Sequence, residues 1–230
     1  MKIIKSLGAT IKEVESRKFN IWFGISLGNK YFTKENIEKY IFWALKNTKE
    51  DLLITIADRL YAVKLETLDE YSKLRALRVS SRLGDATAKE VEDIIGQLPK
   101  EKQNLTSVTK FRDILSTKYY EYRYEILKEY HEENKEFRDF IAKITKETYK
   151  NGPHSLTEKR IHKLADYVLK EIPIYLNGAY YKDKYYQCTI YPGLGLIDEL
   201  IMGLHDGKLF PELSKKLKIR NQICIIEGYV

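Results

Sequence analysis

The sequence predicts an α/β fold, one domain over residues 1–230 with a mostly parallel central sheet flanked by helices. Three observations carry that prediction. Residues 20–26 read as a short buried strand, because Ile21, Trp22, Phe23 and Ile25 are bulky β-formers in a run too short for a helix. Residues 34–47 then place Ile37, Tyr40, Ile41, Ala44 and Leu45 on one helical face. Residues 51–56 (DLLITI) form the next strand, so strand, helix and strand make a βαβ unit whose strands run parallel.

The bulk properties agree with an ordered globule. The 230 residues are 43% hydrophobic and 12% aromatic, enough to fill one core. Tyrosine is frequent, at 18 residues, and offers stacking faces with a polar tip. Lysine and arginine outnumber acids by 40 to 33, giving a net charge of +7, which permits an anionic partner without demanding one. Cys188 and Cys224 each sit in an apolar run, and two buried thiols point to a reducing compartment rather than a disulfide framework. No signal segment opens the chain and no apolar run approaches the length of a membrane span, so a soluble, cytoplasmic protein is expected. The four histidines and two cysteines are scattered without ligand spacing, and no metal is expected.

In chain order, residues 2–14 alternate loosely and read as an edge strand. The strand over 20–26 ends in Gly24-x-Ser26-x-Gly28, which places Ser26 in a sharp turn at a strand's carboxyl end, where open α/β sheets bind ligands. The same spacing fits a nucleophile elbow, although a turn serine that caps a helix would look alike. Residues 66–83 form a helix with Tyr71, Arg75, Arg78 and Arg82 in a row, Lys73 nearby, and Ala76, Val79 and Leu83 on the opposite side. A row of arginines with almost no acid is either a phosphate-binding face or an ordinary exposed one.

A further helix is predicted over 85–97, and a polar linker over 99–109. Residues 109–150 are a long, charged helical region, one kinked helix or two, with Phe111, Ile114, Leu115 and Leu127 among its apolar positions. Asn151-Gly152-Pro153 breaks the chain. Ser155-x-x-Glu158 reads as a capping box that starts a helix at Leu156, and Pro173 as its stop. Late strands are predicted at 186–191 and 222–226, with helices at 195–204 and 211–218.

On the helix that begins near Leu156, Ile161, Ala165, Val168 and Ile172 mark the buried stripe. Tyr167 and Glu171 stack at i, i+4 on its rim. A glutamate there can serve as an acid/base or amine-binding group, or simply pair with Lys163 or Lys170.

Taken together the two stretches resemble the tRNA-dependent cyclodipeptide synthases. Tyr167-Val168-Leu169-Lys170-Glu171-Ile172-Pro173 fits that family's signature Tyr-aliphatic-x-x-Glu-x-Pro at every specified position. Gly24-Ile25-Ser26 fits the end of its other signature, from whose beginning Asn20, Trp22 and Phe23 depart. Asn29 followed by Tyr191-Pro192 mixes the patterns of two subgroups of the family.

The resemblance implies a Rossmann-like domain similar to the catalytic domain of class I aminoacyl-tRNA synthetases. It implies two aminoacyl-tRNAs as substrates, a cyclic dipeptide as product, and no cofactor or metal. By the same resemblance Ser26 is the nucleophile, Glu171 with Tyr167 holds the ammonium group, and Tyr191 assists proton transfer. Trp22, Gly24, Asn29 and Thr189 are expected around the aminoacyl group. Lys73, Arg75, Arg78 and Arg82 become a platform for the acceptor stem, and a monomer is expected. Two rivals stay open: a serine esterase of α/β-hydrolase type, needing a histidine from among His131, His154, His162 and His205, and a non-catalytic RNA-binding domain.

Overall fold

In a computed structural model, which describes residues 1–150, 152, 154–219 and 221–230, the chain begins β1 (Lys2–Leu7), α1 (Ile11–Glu15), β2 (Ile21–Ile25), α2 (Lys34–Asn47) and β3 (Leu52–Ile56). It continues α3 (Asp58–Thr67), α4 (Lys73–Gly96), α5 (Lys100–Asn104), β4 (Thr106–Lys110), α6 (Phe111–Leu115), α7 (Lys118–Glu133) and α8 (Lys135–Tyr149). The last part is α9 (Glu158–Tyr175), the hairpin β5 (Ala179–Tyr181) and β6 (Lys184–Tyr186), β7 (Cys188–Tyr191), α10 (Leu196–His205), α11 (Pro211–Leu217) and β8 (Cys224–Tyr229).

The central sheet has the order β1-β8-β7-β2-β3-β4. Every pair in it is parallel except the edge pair β1–β8. This is the Rossmann-like α/β arrangement the sequence predicts. Burial on both faces explains why β2 and β3 read as continuous apolar runs. Ile21, Phe23 and Ile25 face a core shared with α2 and α4, where Phe23 stacks on Tyr40 at 4.8 Å. Trp22 and Leu53 face the other way, toward α6, α7 and α9. Cys188 and Cys224 are buried register partners on β7 and β8, and both are free thiols.

Several elements differ from the sequence reading, each for a local reason. The helices expected at 66–83 and 85–97 are one helix, α4, preceded by α3, which the reading missed. Gly84 does not break α4. It lets the helix approach α3 so closely that a Cβ would lie 2.8 Å from that of Asp58. Asp58 is fully buried there. Its carboxylate accepts from the backbone N–H groups of Arg59 and Arg112 and pairs with the Arg112 guanidinium at 3.2 Å. Val79 and Leu83 are 37% and 39% exposed instead of core-facing, and the buried stripe runs through Ala76, Ser80, Gly84, Ala88 and Val91.

The expected linker at 99–109 contains α5 and β4. As an edge strand, β4 is only partly covered and so can be polar. The 109–150 region divides into three helices, with Asn134 ending α7 and capping α8 through its side chain. Thr157, not Ser155, caps α9, which begins at Glu158. Pro173 does not stop that helix, which runs on to Tyr175. Of the expected break, Asn151 and Pro153 lie outside the described residues.

Gly84→Ala is expected to destabilise the protein by about 1 kcal/mol net. Overpacking against Asp58 outweighs the gain of roughly 1 kcal/mol in helix propensity that alanine brings. Urea unfolding of the two proteins measures the sign.

Candidate active site

The strand order reverses between β2 and β7: from β2 the chain builds outward through β3 and β4 on one side, and from β7 through β8 on the other, where the first strand, β1, forms the edge. Such a switch point leaves a crevice at the carboxyl ends of the two central strands. Ser26 follows the last residue of β2, and Tyr191 is the last residue of β7. The Tyr191 hydroxyl donates to Ser26 Oγ at 3.0 Å. The Asn29 amide reaches the same hydroxyl at 3.5 Å. The turn that carries Asn29 closes by a bond from its N–H to the Ser26 carbonyl and passes through Gly28 at φ +75°, a left-handed conformation that suits glycine. Phe32 packs edge-on against the Tyr191 ring at 5.7 Å and fixes its direction.

Above this crevice α9 presents Tyr167, Glu171 and Tyr175, one turn apart, to a cavity of about 790 Å³. Trp22 and Gly24 form the floor beside Ser26, and Tyr175 meets the Trp22 ring edge-on at 5.1 Å. The far wall is the loop after β7 and the first turn of α10, which contributes Asp198. Asp198 is 7% exposed, and its Oδ2 accepts from the Gly195 N–H at 2.7 Å.

The electrostatics of this space are unusual for a protein carrying net positive charge. Four carboxylates line it: Glu147, Glu171, Asp198 and Glu199. Lys150 is the one lining cation among the described residues, and it is paired with Glu147 at 2.6 Å. Burial, reinforced by the neighbouring Asp198 charge, pushes Glu171 up to about 8, against the opposing hydrogen bond from Tyr167. Burial likewise raises Asp198 to about 6, despite its backbone hydrogen bonds. The Tyr191 hydroxyl is raised by burial and, to a lesser degree, by Glu171, while its bonds to Ser26 and Asn29 oppose the shift. Tyr167 is raised by burial and by Glu171. Among the described residues no ion pair engages Glu171. Lys170 is instead paired with Asp166.

The structure therefore brings Ser26, Tyr167, Glu171, Tyr191, Trp22 and Gly24 to one cavity, with Asn29 at its edge. Thr189 does not line it: the residue is register partner to Trp22 in the sheet and is buried. Among the described residues no histidine lines it, so the elbow serine has no triad base there. Lys73, Arg75, Arg78 and Arg82 lie on α4, exposed, and among the described residues no ion pair ties the three arginines to an acid. Arg75 stacks over the Tyr71 ring at 4.1 Å.

Sequence reasoning missed Asp198 and Tyr175. Asp198 matches a helix-capping position, which gives no hint of a cavity. Tyr175 lies beyond the proline that reads as the end of the helix.

Residues 3–201 match the family model described as cyclodipeptide synthase. The chain belongs to the cyclodipeptide synthase family. These enzymes are tRNA-dependent aminoacyltransferases that make cyclic dipeptides. Among solved structures the fold is similar to a cyclodipeptide synthase from Staphylococcus haemolyticus, with a TM-score of 0.77 at 22% identity over 95% of this chain and 94% of that one. It is also similar to a cyclodipeptide synthase from Candidatus Glomeribacter gigasporarum that was solved bound to Phe-tRNAPhe, with a TM-score of 0.61 at 16% identity over 92% and 88%. A tyrosyl-tRNA synthetase from Archaeoglobus fulgidus shares the fold at a TM-score of 0.56 and 9% identity, over 95% of this chain and 57% of that one. No curated protein was found to match the sequence. Among the described residues no helix is long and apolar enough to cross a membrane.

The raised Glu171 has a consequence for this synthase that needs no substrate. Its carboxyl is neutral in the fold until about pH 8 but ionises near 4.5 in an unfolded chain. The folded state thus loses stability, on the order of a few kcal/mol, as pH rises from about 4.5 through about 8. Glu171→Gln removes that loss. Thermal unfolding should show equal midpoints near pH 4.5 and a variant several degrees more stable than wild type at pH 9.

Proposed function

We propose that this chain joins two aminoacyl groups by acyl transfer through Ser26, using two aminoacyl-tRNAs in turn. The supporting observation is the Tyr191–Ser26 hydrogen bond at one end of a cavity also lined by Glu171, Asp198 and Glu199, none of which forms an ion pair among the described residues. Ser26 Oγ attacks the ester carbonyl of the first aminoacyl-tRNA. The bond to the tRNA ribose breaks, the serine proton passes to the leaving ribose oxygen, and an aminoacyl-Ser26 ester remains. Glu171, oriented by Tyr167, binds the ammonium group of that ester and takes its proton when the amine is needed as a nucleophile.

The freed amine attacks the carbonyl of the second aminoacyl-tRNA and displaces the tRNA, which leaves a dipeptidyl-Ser26 ester. Attack of the terminal amine on that ester closes the ring. Tyr191, already hydrogen-bonded to Ser26 Oγ, returns a proton to the departing serine oxygen. Trp22 and Gly24 shape the space for the first aminoacyl side chain, because a Cβ at position 24 would stand 3.3 Å from the Trp22 ring, inside that space.

The tRNA is positioned from outside the cavity. Arg75, Arg78 and Arg82, with Lys73, present an exposed basic face that suits phosphates of an acceptor stem, an interaction that places a nucleic acid without reading its sequence. The tRNA-bound relative from Candidatus Glomeribacter gigasporarum supports aminoacyl-tRNA as the partner.

Two measurements test this reading. Expression in a bacterial host, with mass spectrometry of the medium, should reveal new diketopiperazines that vanish with Ser26→Ala, and their masses would name the amino acids. A Ser26→Ala protein that still makes them would remove the serine from the chemistry. Replacing Arg75, Arg78 and Arg82 together by alanine should weaken tRNA binding and flatten its salt dependence. Each arginine that neutralises a phosphate accounts for about 0.7–0.9 of the slope of log K against log salt. An unchanged slope would move the tRNA to another face.

A further inference from the structure

We propose that Asp198 is a second catalytic carboxylate, which holds the ammonium group of the second aminoacyl residue and accepts its proton at ring closure. The inference rests on the acyl-transfer reading above and follows from counting charges. Two ammonium groups enter the cavity over one reaction, and each must lose a proton before its nitrogen can attack a carbonyl. Glu171 can serve only one of them while it holds the ester on Ser26. A second group of the right charge already lines the same cavity.

Asp198 lines the same cavity as Ser26 and Glu171 and is 7% exposed. Its Oδ2 is fixed by the Gly195 N–H at 2.7 Å, so the first turn of α10 sets the direction of the carboxylate. A carboxylate exposed to water ionises without a desolvation cost. This one is buried among further acids. Glu171 and Tyr175 of α9, Tyr191 of β7 and Glu227 of β8 all bear on it, and Lys5 of β1 is the cation whose charge reaches it. No ion pair engages Asp198 among the described residues. A bound ammonium group relieves the repulsion between Asp198 and Glu171, as does the neutralisation of either one.

The step balances without another reactant. The dipeptidyl ester arrives with its terminal nitrogen as an ammonium ion on Asp198. One N–H proton moves to the carboxylate, the nitrogen forms a bond to the ester carbonyl carbon, and the carbon–Oγ bond to Ser26 breaks. The nitrogen's surplus proton leaves by way of Tyr191 to Oγ, and the proton on Asp198 returns to solvent as the product departs.

Asp198→Asn separates this role from that of a cap, because the asparagine carbonyl can still accept from Gly195 while the charge is gone. Wild type and variant would be incubated with bulk bacterial tRNA charged with a labelled mixture of amino acids. Label on the protein, the intact protein mass and the cyclic products would then be followed. The proposal expects aminoacyl-enzyme to form within about 2-fold of wild type, product to fall by about 100-fold or more, and a dipeptidyl mass to accumulate on the variant. Its thermal midpoint should not fall below that of wild type, because the buried charge it removes is itself destabilising. Product within a few-fold of wild type would reduce Asp198 to a cap, and a parallel loss of aminoacyl-enzyme would make it a structural residue. Absence of any aminoacyl-enzyme from wild type itself would instead overturn the acyl-transfer reading.

Discussion

Everything about this site depends on the parallel pairing of β2 with β7, in the register Ile21↔Cys188, Trp22↔Thr189 and Phe23↔Ile190. Parallel neighbours end on the same side of a sheet, so a serine just past one strand and a tyrosine at the end of the other meet without any long excursion of the chain. Antiparallel pairing would have put their functional ends at opposite edges. The buried apolar faces of both strands hold this register, because a slip by one residue would send Trp22 into the α2 core and Phe23 into the cavity. The 3.0 Å bond between Tyr191 and Ser26 is therefore set by the packing of the sheet interior, and the helices only roof it.

The roof supplies the opposite electrostatic character. Lysines and arginines are spread over the outside, notably along α4, while the cavity is acidic and its lining cation is already neutralised by Glu147. A substrate with a polyanionic body and a cationic tip fits this division. On the proposed reading the body is drawn to the arginine face and the tip to the carboxylates, and each attraction would be repulsion if the substrate were reversed. The buried carboxylates lower the stability of the empty protein, a cost that a bound ammonium group relieves.

Much of this is legible in the sequence because the relevant signals are local. A strand ending in Gly24-Ile25-Ser26 and a helix carrying Tyr167 and Glu171 at one-turn spacing need only periodicity to be read, and the βαβ order then fixes their side of the sheet. The misreadings fall where tertiary packing overrules local preference. Gly84 looks like an interruption until α3 is seen lying against it, and Pro173 looks like a stop although the missing N–H is tolerated near the end of a well-buried helix. Helical spacing alone places Val79 and Leu83 inside, yet the stripe that packs is made of smaller residues, which permit the close α3–α4 approach. Asp198 is invisible for a different reason: its signature is that of a cap, and only the walls around it give a capping carboxylate anything else to do.

The absence of a histidine beside Ser26 becomes intelligible from the energetics of the bonds exchanged. In the proposed reaction, transfer of an aminoacyl group from a ribose hydroxyl to a serine hydroxyl replaces one ester by another, so the first step is close to isoenergetic. The two later steps convert esters to amides and run downhill. An enzyme that cleaves a stable amide must generate a strong nucleophile, whereas here the carbonyl arrives activated. The demand then shifts to holding two reactants in line and to moving protons between groups of suitable affinity. A neutral tyrosine that donates to the serine oxygen, with carboxylates raised toward neutrality across the cavity, answers the second demand, and the rigid end of a parallel sheet answers the first.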